Sequence, residues 1–163
     1  MKIFQKTLKK QIAFEGISLH SGLITKINLL PAKVNQGIIF KRIDLKNSKS
    51  IPALWKNVKV ANLCTVIKND NGESVSTIEH LMFAFYVTGI TNVTIEVDGP
   101  EIPILDGSSK LFVEKLNPSE IIEQVYYTRQ RFYERLKTFE TFGKGWTRRN
   151  KETLETALEM ADG

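Results

Sequence analysis

Apolar and polar residues alternate along much of the first 116 residues, which is the pattern of strands with one buried face. The alternation from residue 5 to residue 32 breaks at Gly16 and at Ser21-Gly22, and it predicts two strands joined by a loop that contains His20. Further strands are predicted at residues 37–43, 63–67 and 92–97.

The spacing of apolar residues changes to that of a helix twice in the same stretch. A helix is predicted over residues 77–88, where apolar residues recur at intervals of three and four until Gly89 provides a C-terminal end. A second helix is predicted over residues 108–116, after a small polar residue. Strands interrupted by two helices predict an α+β fold, a two-layer sandwich in which both helices cover one face of a mostly antiparallel sheet.

The pattern changes again after Leu116. Residues 117–120 read Asn-Pro-Ser-Glu, which favours a helix start, and apolar residues follow at a helical period as far as Phe139. A more polar helical stretch is predicted from Lys151 to Met160. We therefore expect a domain over residues 1–116 and a tail over residues 117–163, the tail being a helical hairpin whose aromatic face packs against a partner surface.

Charge and composition narrow the class of protein. The formal net charge is +5, and residues 1–116 carry all of this excess, with 15 Lys/Arg against 10 Asp/Glu. The excess is spread out, without a basic block or interleaved aromatic residues, so it indicates solvated surface rather than nucleic-acid binding. We find no apolar run of about 18 residues and no secretion signal, which predicts no membrane span. The single cysteine, Cys64, is consistent with a reducing compartment, so a cytoplasmic protein is expected.

His20 and His80 are the only two histidines, and neutral-pH metal or acid–base chemistry draws on histidine most often. His80 lies in the first turn of its predicted helix, where the positive end of the helix dipole favours the neutral, metal-binding imidazole. Glu79 lies about 100° round the helix, and near the open end both side chains can point into one cleft. A metal ligand beside a proton-accepting carboxylate is the arrangement of metal-assisted hydrolysis.

Both residues also have a structural interpretation. A single histidine beside a helix start is commonly a satisfied, half-buried side chain. Ser76 and Glu79 have the spacing of a capping box, in which the Glu79 carboxylate would accept from the backbone amide of Ser76. From the local sequence, the catalytic and the structural hypotheses both stay open.

Four motifs occur in the order and at the spacing of one protein family. They are GISLHSG at residues 16–22, LCT at 63–65, STIEHL at 76–81 and PEIPILDGS at 100–108. On these motifs, residues 1 to about 116 resemble the N-terminal domain of the UDP-3-O-acyl-N-acetylglucosamine deacetylases, zinc-dependent amide hydrolases of lipid A biosynthesis. The resemblance implies removal of acetate from UDP-3-O-acyl-N-acetylglucosamine, with zinc as the cofactor.

The resemblance also implies roles for individual residues. It makes His80 a zinc ligand and Glu79 the carboxylate that acts first as general base and then as general acid. Four further residues are implied to border or line the substrate cleft: Leu19, His20, Leu63 and Cys64. We expect Cys64 to line the cleft as a small apolar residue rather than act as a reactive thiol, because the sequence shows no neighbouring cation that would activate it. Asp106 is expected to be a turn or helix-cap acceptor rather than a catalytic acid.

In the family, a second domain supplies a His-x3-Asp pair of zinc ligands and another catalytic histidine. Residues 117–163 contain no histidine and show no likeness to that domain. Catalytic zinc normally has three protein ligands and an open position, so the site is expected to be incomplete and the chain alone inactive or nearly so.

Three hypotheses therefore stay open. The chain is a truncated or rearranged deacetylase, or a half-enzyme completed by a partner chain or another copy that docks on exposed apolar surface. In the third hypothesis it is a non-catalytic binding or regulatory protein that acts through its helical tail.

Overall fold

The computed structural model describes residues 4–124, which form ten strands and two α-helices. The strands are β1 (Gln5–Leu8), β2 (Ile12–Ile17), β3 (Ile24–Pro31), β4 (Ile38–Arg42), β5 (Ile51–Pro52), β6 (Val58–Lys59), β7 (Val66–Lys68), β8 (Ser74–Ser76), β9 (Val93–Val97) and β10 (Ile121–Gln124). The helices are α1 (Glu79–Thr88) and α2 (Lys110–Lys115).

Five of the strands form the main sheet, in the order β2-β3-β9-β4-β5. Its neighbouring strands are antiparallel except β4 and β9, which run parallel. A smaller antiparallel sheet has the order β6-β7-β8, and β1 pairs with β10. The prediction of a mostly antiparallel architecture is confirmed.

One face of the main sheet is apolar and buried, because successive side chains of a strand point to opposite faces. On β9, Val93, Ile95 and Val97 are fully buried, whereas Thr94 and Glu96 between them are only half-buried. The neighbouring strand β3 repeats this alternation. The period of two in the sequence therefore identifies the core face correctly.

The two helices pack against each other and bury apolar side chains in the same core as the sheet. Leu81, Ala84 and Phe85 of α1 and Phe112 of α2 all belong to it. As predicted, α1 ends at Gly89, which adopts the left-handed conformation with φ 74°. The two-layer α+β fold is thus confirmed. Neither helix of residues 4–124 is long and apolar enough to cross a membrane.

Some strand boundaries differ from the prediction. Residues 5–32 form three strands rather than two, because the chain bends at Lys9 and Lys10 between β1 and β2. The strand expected to begin at Leu63 begins at Val66, since Leu63 has a left-handed backbone with φ 61° and belongs to a loop. The short strands β5, β6 and β8 were not predicted, because two or three residues are too few to show alternation.

The prediction of a helix that starts at residue 117 is wrong for residues 117–124, the part of it that the structure describes. Pro118–Glu120 forms a single 3₁₀ turn, in which the Asn117 side chain accepts from the amide of Ser119. Ile121–Gln124 is strand β10, and its ladder with β1 replaces the helical conformation. Tertiary pairing of this kind overrides a local helical preference. The later helical predictions, over residues 125–160, lie outside the described residues, and the division of the chain at residue 116 stays a prediction.

The core assignment can be tested at Ile95, which is fully buried on the central strand β9. We expect Ile95→Ala to lower the free energy of unfolding by about 2–5 kcal/mol, because it removes buried methyl groups and leaves a cavity. Lys41→Ala, on the exposed side of the neighbouring strand β4, should change it by less than about 0.5 kcal/mol. Urea unfolding followed by far-ultraviolet circular dichroism measures both variants, and equal losses would contradict the assignment.

Candidate active site

The segments that carry the four motifs meet at the start of α1. The backbone amide of Thr65 donates to Glu79 Oε2 at 3.0 Å, which places the loop after β6 against the first residue of the helix. The carboxylate of Glu101 accepts from the amide of His20 at 3.0 Å and from Thr77 Oγ1 at 2.8 Å. Segments as far as 81 positions apart in the chain are therefore joined in one place.

Glu79 is the first residue of α1, and its side chain is half-buried. Of the two interpretations left open for Glu79, the capping box is not formed. The residue before the helix is Ile78, which makes no side-chain cap hydrogen bond, and the hydroxyl of Ser76 donates instead to the carbonyl of Pro100 at 3.2 Å. Because Ser76 belongs to β8 and pairs across to Glu101, it is not available to cap α1. The Glu79 carboxylate therefore accepts from Thr65, and Oε1 has no hydrogen-bond partner within residues 4–124.

His80 is the second residue of α1, so the prediction that it lies in the first turn is confirmed. Its side chain is half-buried, and the imidazole makes no hydrogen bond to any side chain or backbone group of residues 4–124. The next residue, Leu81, is fully buried in the core. A partly exposed imidazole can bind a metal ion through one ring nitrogen or donate a hydrogen bond to a ligand.

Leu19 and His20 lie in the loop between β2 and β3. The amide of Gly22 closes this loop by donating to the carbonyl of Ser18 at 3.0 Å. Leu19 is 59% exposed, and His20 is also exposed. Only the backbone of His20 is held, through the carboxylate of Glu101, so the structure fixes the loop and leaves the imidazole at the surface.

Leu63 and Cys64 lie in the loop between β6 and β7, directly before the Thr65 amide that binds Glu79. Leu63 is 92% exposed, and Cys64 is half-buried. The loop therefore presents an apolar side chain to solvent next to the helix start. This position is compatible with the expectation that the loop lines a cleft.

Glu101 is a buried acid of this region that no local pattern in the sequence identifies as a site residue. It is only 2% exposed, and its carboxylate accepts three donors: the amides of His20 and Ser21, at 3.0 Å and 2.9 Å, and the hydroxyl of Thr77, at 2.8 Å. Burial by itself raises the pKa of Glu101, but these hydrogen bonds lower it by more, so the pKa lies below its ordinary value of 4.5. The sequence shows only that Glu101 stands between Pro100 and Ile102, and its burial, which makes the donors necessary, is visible only in the structure.

Asp106 is a turn acceptor, as predicted. Its carboxylate accepts from the amide of Ser108 at 3.0 Å and from the hydroxyl of Ser108 at 2.9 Å, just before α2. These two hydrogen bonds lower the pKa of Asp106 below its ordinary value. The intervening Gly107 has φ 79°, a left-handed conformation that suits glycine in such a turn.

The described residues do not by themselves fit a catalytic zinc ion. Among residues 4–124, no three His, Cys, Asp or Glu side chains are close enough together to hold a metal. His80 offers one imidazole nitrogen, whereas a catalytic zinc site normally has three protein ligands. Residues 4–124 thus contribute a carboxylate and an imidazole that are adjacent in sequence at a partly exposed helix start.

Comparison with known proteins agrees with these motifs. Residues 5–147 match the family model described as UDP-3-O-acyl N-acetylglycosamine deacetylase. A UDP-3-O-acyl-N-acetylglucosamine deacetylase of Shewanella baltica is 46% identical over 122 residues, which are 75% of this chain and 40% of that protein. Its counterparts in Shewanella frigidimarina and Shewanella denitrificans are 48% and 47% identical over the same shares of each chain. The chain spans about 40% of the length of these relatives.

The lowered pKa of Glu101 predicts a specific loss of stability in acid. The unfolded chain takes up the proton near the ordinary pKa of 4.5, whereas the folded chain keeps the carboxylate ionised to lower pH. The stabilisation is therefore complete above that value and is lost as the pH falls through the folded pKa. We expect the free energy of unfolding to fall more steeply between about pH 5 and pH 3 in the wild type than in Glu101→Gln. Urea titrations across this range measure both slopes, and parallel pH profiles would contradict the expectation.

Proposed function

Because the chain belongs to the UDP-3-O-acyl-N-acetylglucosamine deacetylase family, we propose that residues 1–116 form one side of a site that removes acetate from UDP-3-O-acyl-N-acetylglucosamine. The observation that carries this proposal is the meeting of four motif-bearing segments around Glu79 and His80. A metal-dependent hydrolase needs a proton-transfer group and a metal ligand facing the same cleft, and two adjacent residues at the open end of a helix can meet this need.

Glu79 is proposed as the residue that moves the proton. Amide hydrolysis requires a base to take a proton from the attacking water and an acid to give one to the leaving amine nitrogen. The amide of Thr65 holds one carboxylate oxygen of Glu79 at 3.0 Å, which fixes its orientation. The other oxygen is left to accept from a water, and the same carboxyl group can afterwards donate to the amine.

His80 is proposed as one ligand of the zinc ion that the family resemblance implies. Its imidazole lies half-buried in the first turn of α1, and a neutral imidazole donates its lone pair to a metal. Residues 4–124 bring no three such ligands together, so the set must be completed from outside them. This chain alone is therefore proposed to have little or no activity.

The substrate is proposed to lie between the loops that carry Leu19 and Leu63. Both leucine side chains are largely exposed, so each offers apolar surface beside the helix start. His20 lies next to Leu19 and offers an imidazole that can donate to a polar part of the sugar nucleotide. The basic excess of residues 1–116 suits an anionic UDP-sugar.

A half-site of this kind needs a second chain or a further segment to be active. Completion by a partner chain or by another copy stays a hypothesis, as does a non-catalytic role of the tail. A cytoplasmic location also stays a prediction from the sequence. No observation on residues 4–124 favours a binding function over the deacetylase half-site.

The first prediction from the proposed function is that this chain with added zinc shows no turnover above the uncatalysed reaction. A zinc ion held by one imidazole is bound too weakly to act as a catalytic centre, because catalytic zinc normally has three protein ligands. Release of acetate from UDP-3-O-acyl-N-acetylglucosamine, followed by mass spectrometry, measures the activity. Robust turnover that disappears in Glu79→Ala would refute the prediction of an incomplete site.

The second prediction is that the missing ligands can be supplied in trans. The chain is mixed or co-expressed with the part of the Shewanella baltica relative that lies outside the 122 matched residues, and deacetylation is expected. In that mixture Glu79→Gln should lower kcat by about 10²–10⁴-fold, because an amide cannot take the proton. His80→Ala should abolish turnover.

The matched control for the second prediction is Glu15→Gln, an exposed carboxylate on β2 whose side chain makes no hydrogen bond to residues 4–124. It should leave kcat unchanged. An active mixture in which Glu79→Gln and Glu15→Gln behave alike would show that Glu79 is not the proton-transfer group.

A further inference from the structure

Glu101 is a buried, charged residue to which the proposed chemistry assigns no step. A carboxylate that is 2% exposed is costly unless donors satisfy it, and here donors come from two separate segments. One segment is the loop with His20 and Ser21, and the other is Thr77, two positions before Glu79. The same side chain is thus tied to two of the segments that carry candidate site residues.

We propose that Glu101 is a positioning residue, which holds the His20 loop and the turn leading into Glu79 and His80 in a fixed arrangement. The inference deepens the proposed function and rests on it. Glu101 does not touch the reacting atoms in this proposal. It acts through the segments that carry the residues of the site.

The number and direction of the donors explain why a carboxylate is needed. Oε1 accepts from the amide of His20 at 3.0 Å and from the hydroxyl of Thr77 at 2.8 Å, while Oε2 accepts from the amide of Ser21 at 2.9 Å. A glutamine has only one oxygen, so its amide group would turn N–H donors toward one of these donors. An aspartate is shorter by one methylene group and would not reach both segments.

The backbone of residue 101 is itself fixed, so the carboxylate has a rigid base. The amide of Ser76 donates to the carbonyl of Pro100 at 3.0 Å, and the amide of Ile102 donates to the carbonyl of Ser76 at 3.1 Å. The hydroxyl of Ser18 donates to the carbonyl of Glu101 at 3.3 Å. Movement of the carboxylate away from its donors would require these hydrogen bonds to break as well.

The hydrogen bonds of Glu101 to His20, Ser21 and Thr77, which we call the Glu101 clamp, hold Thr77 in an unfavourable conformation. Its φ of 58° lies in the left-handed region, which β-branched residues seldom adopt. Such a backbone persists only where the surroundings over-determine it. The hydrogen bond from its hydroxyl to Glu101 supplies part of that restraint, directly before the residues that enter α1.

The test compares amide hydrogen exchange and amide proton shifts in the ¹⁵N-labelled chain, wild type against Glu101→Gln. We expect exchange at His20 and Ser21 to become at least about tenfold faster, because a hydrogen bond to a charged acceptor is lost. The chemical shift of the Thr65 amide proton should also change, because this amide donates to the carboxylate of Glu79 and is sensitive to its position. Amides of the central strands β3 and β9 should exchange as in the wild type.

The matched control is Glu73→Gln. The carboxylate of Glu73 also accepts from a backbone amide, that of Lys49 at 2.9 Å, and from the side chain of Asn69 at 2.7 Å, but it lies in a different turn. This variant should change exchange at Lys49 and leave His20, Ser21 and Thr65 as they are. A Thr65 shift of equal size in both variants would overturn the proposal.

A second variant covers the case in which Glu101→Gln does not fold. Thr77→Val keeps the β-branched shape and removes only the hydroxyl that donates to Glu101. It should shift the Thr65 amide and speed exchange at His20 by a smaller factor, with the central strands unchanged. Exchange like that of the wild type at His20 and Ser21, or a uniform rise across all core amides, would overturn the positioning role.

These measurements need no activity, so they separate the two proposals. If the mixed enzyme described above fails to turn over while His20, Ser21 and Thr65 respond as expected, the proposed function fails, whereas the restraint that the Glu101 clamp places on these segments is still demonstrated. If the mixture is active, Glu101→Gln should lower kcat more than it raises KM, because misplaced groups act on the chemical step. An active mixture with unchanged kcat in Glu101→Gln would overturn the positioning role alone.

Discussion

The packing of α1 on the apolar face of the main sheet determines where the candidate site lies. Leu81, Ala84 and Phe85 are buried in the core, and burial of a leucine or phenylalanine side chain stabilises the packed orientation by about 1.5–3 kcal/mol. Rotation of the helix by one residue, about 100°, would expose these side chains and bury Glu79 or His80 in their place. The half-buried position of the two site residues is therefore a consequence of how the core is packed.

Hydrogen bonds then bring distant segments to that helix start. The amide of Thr65 binds the carboxylate of Glu79, and Glu101 collects donors from the loop at residues 20–21 and from Thr77. Because a buried carboxylate is tolerated only where donors meet it, these segments cannot separate without a large cost. The arrangement of the segments around Glu79 thus depends on a second acidic residue, the buried Glu101.

The candidate residues differ in how well local sequence could identify them. The helical spacing and the glycine at its end located Glu79 and His80 in the first turn of α1. The spacing of Ser76 and Glu79 also indicated a capping box, which is wrong because Ser76 is occupied by strand pairing with Glu101. Glu101 itself escaped notice, since its three donors are 24 to 81 positions away along the chain.

The sequence by itself determined the α+β class, the buried face of the central strands, the two helices and the family, because alternation, helical spacing and motif order are recorded in neighbouring residues. Only the tertiary structure decided that residues 121–124 pair with β1 as a strand and that Glu79 binds the Thr65 amide rather than capping its own helix. It also decided that Glu101 joins two loops. The physical reason is that a hydrogen bond depends on which groups meet when the chain folds, and local periodicity carries no information about partners that are far apart in sequence.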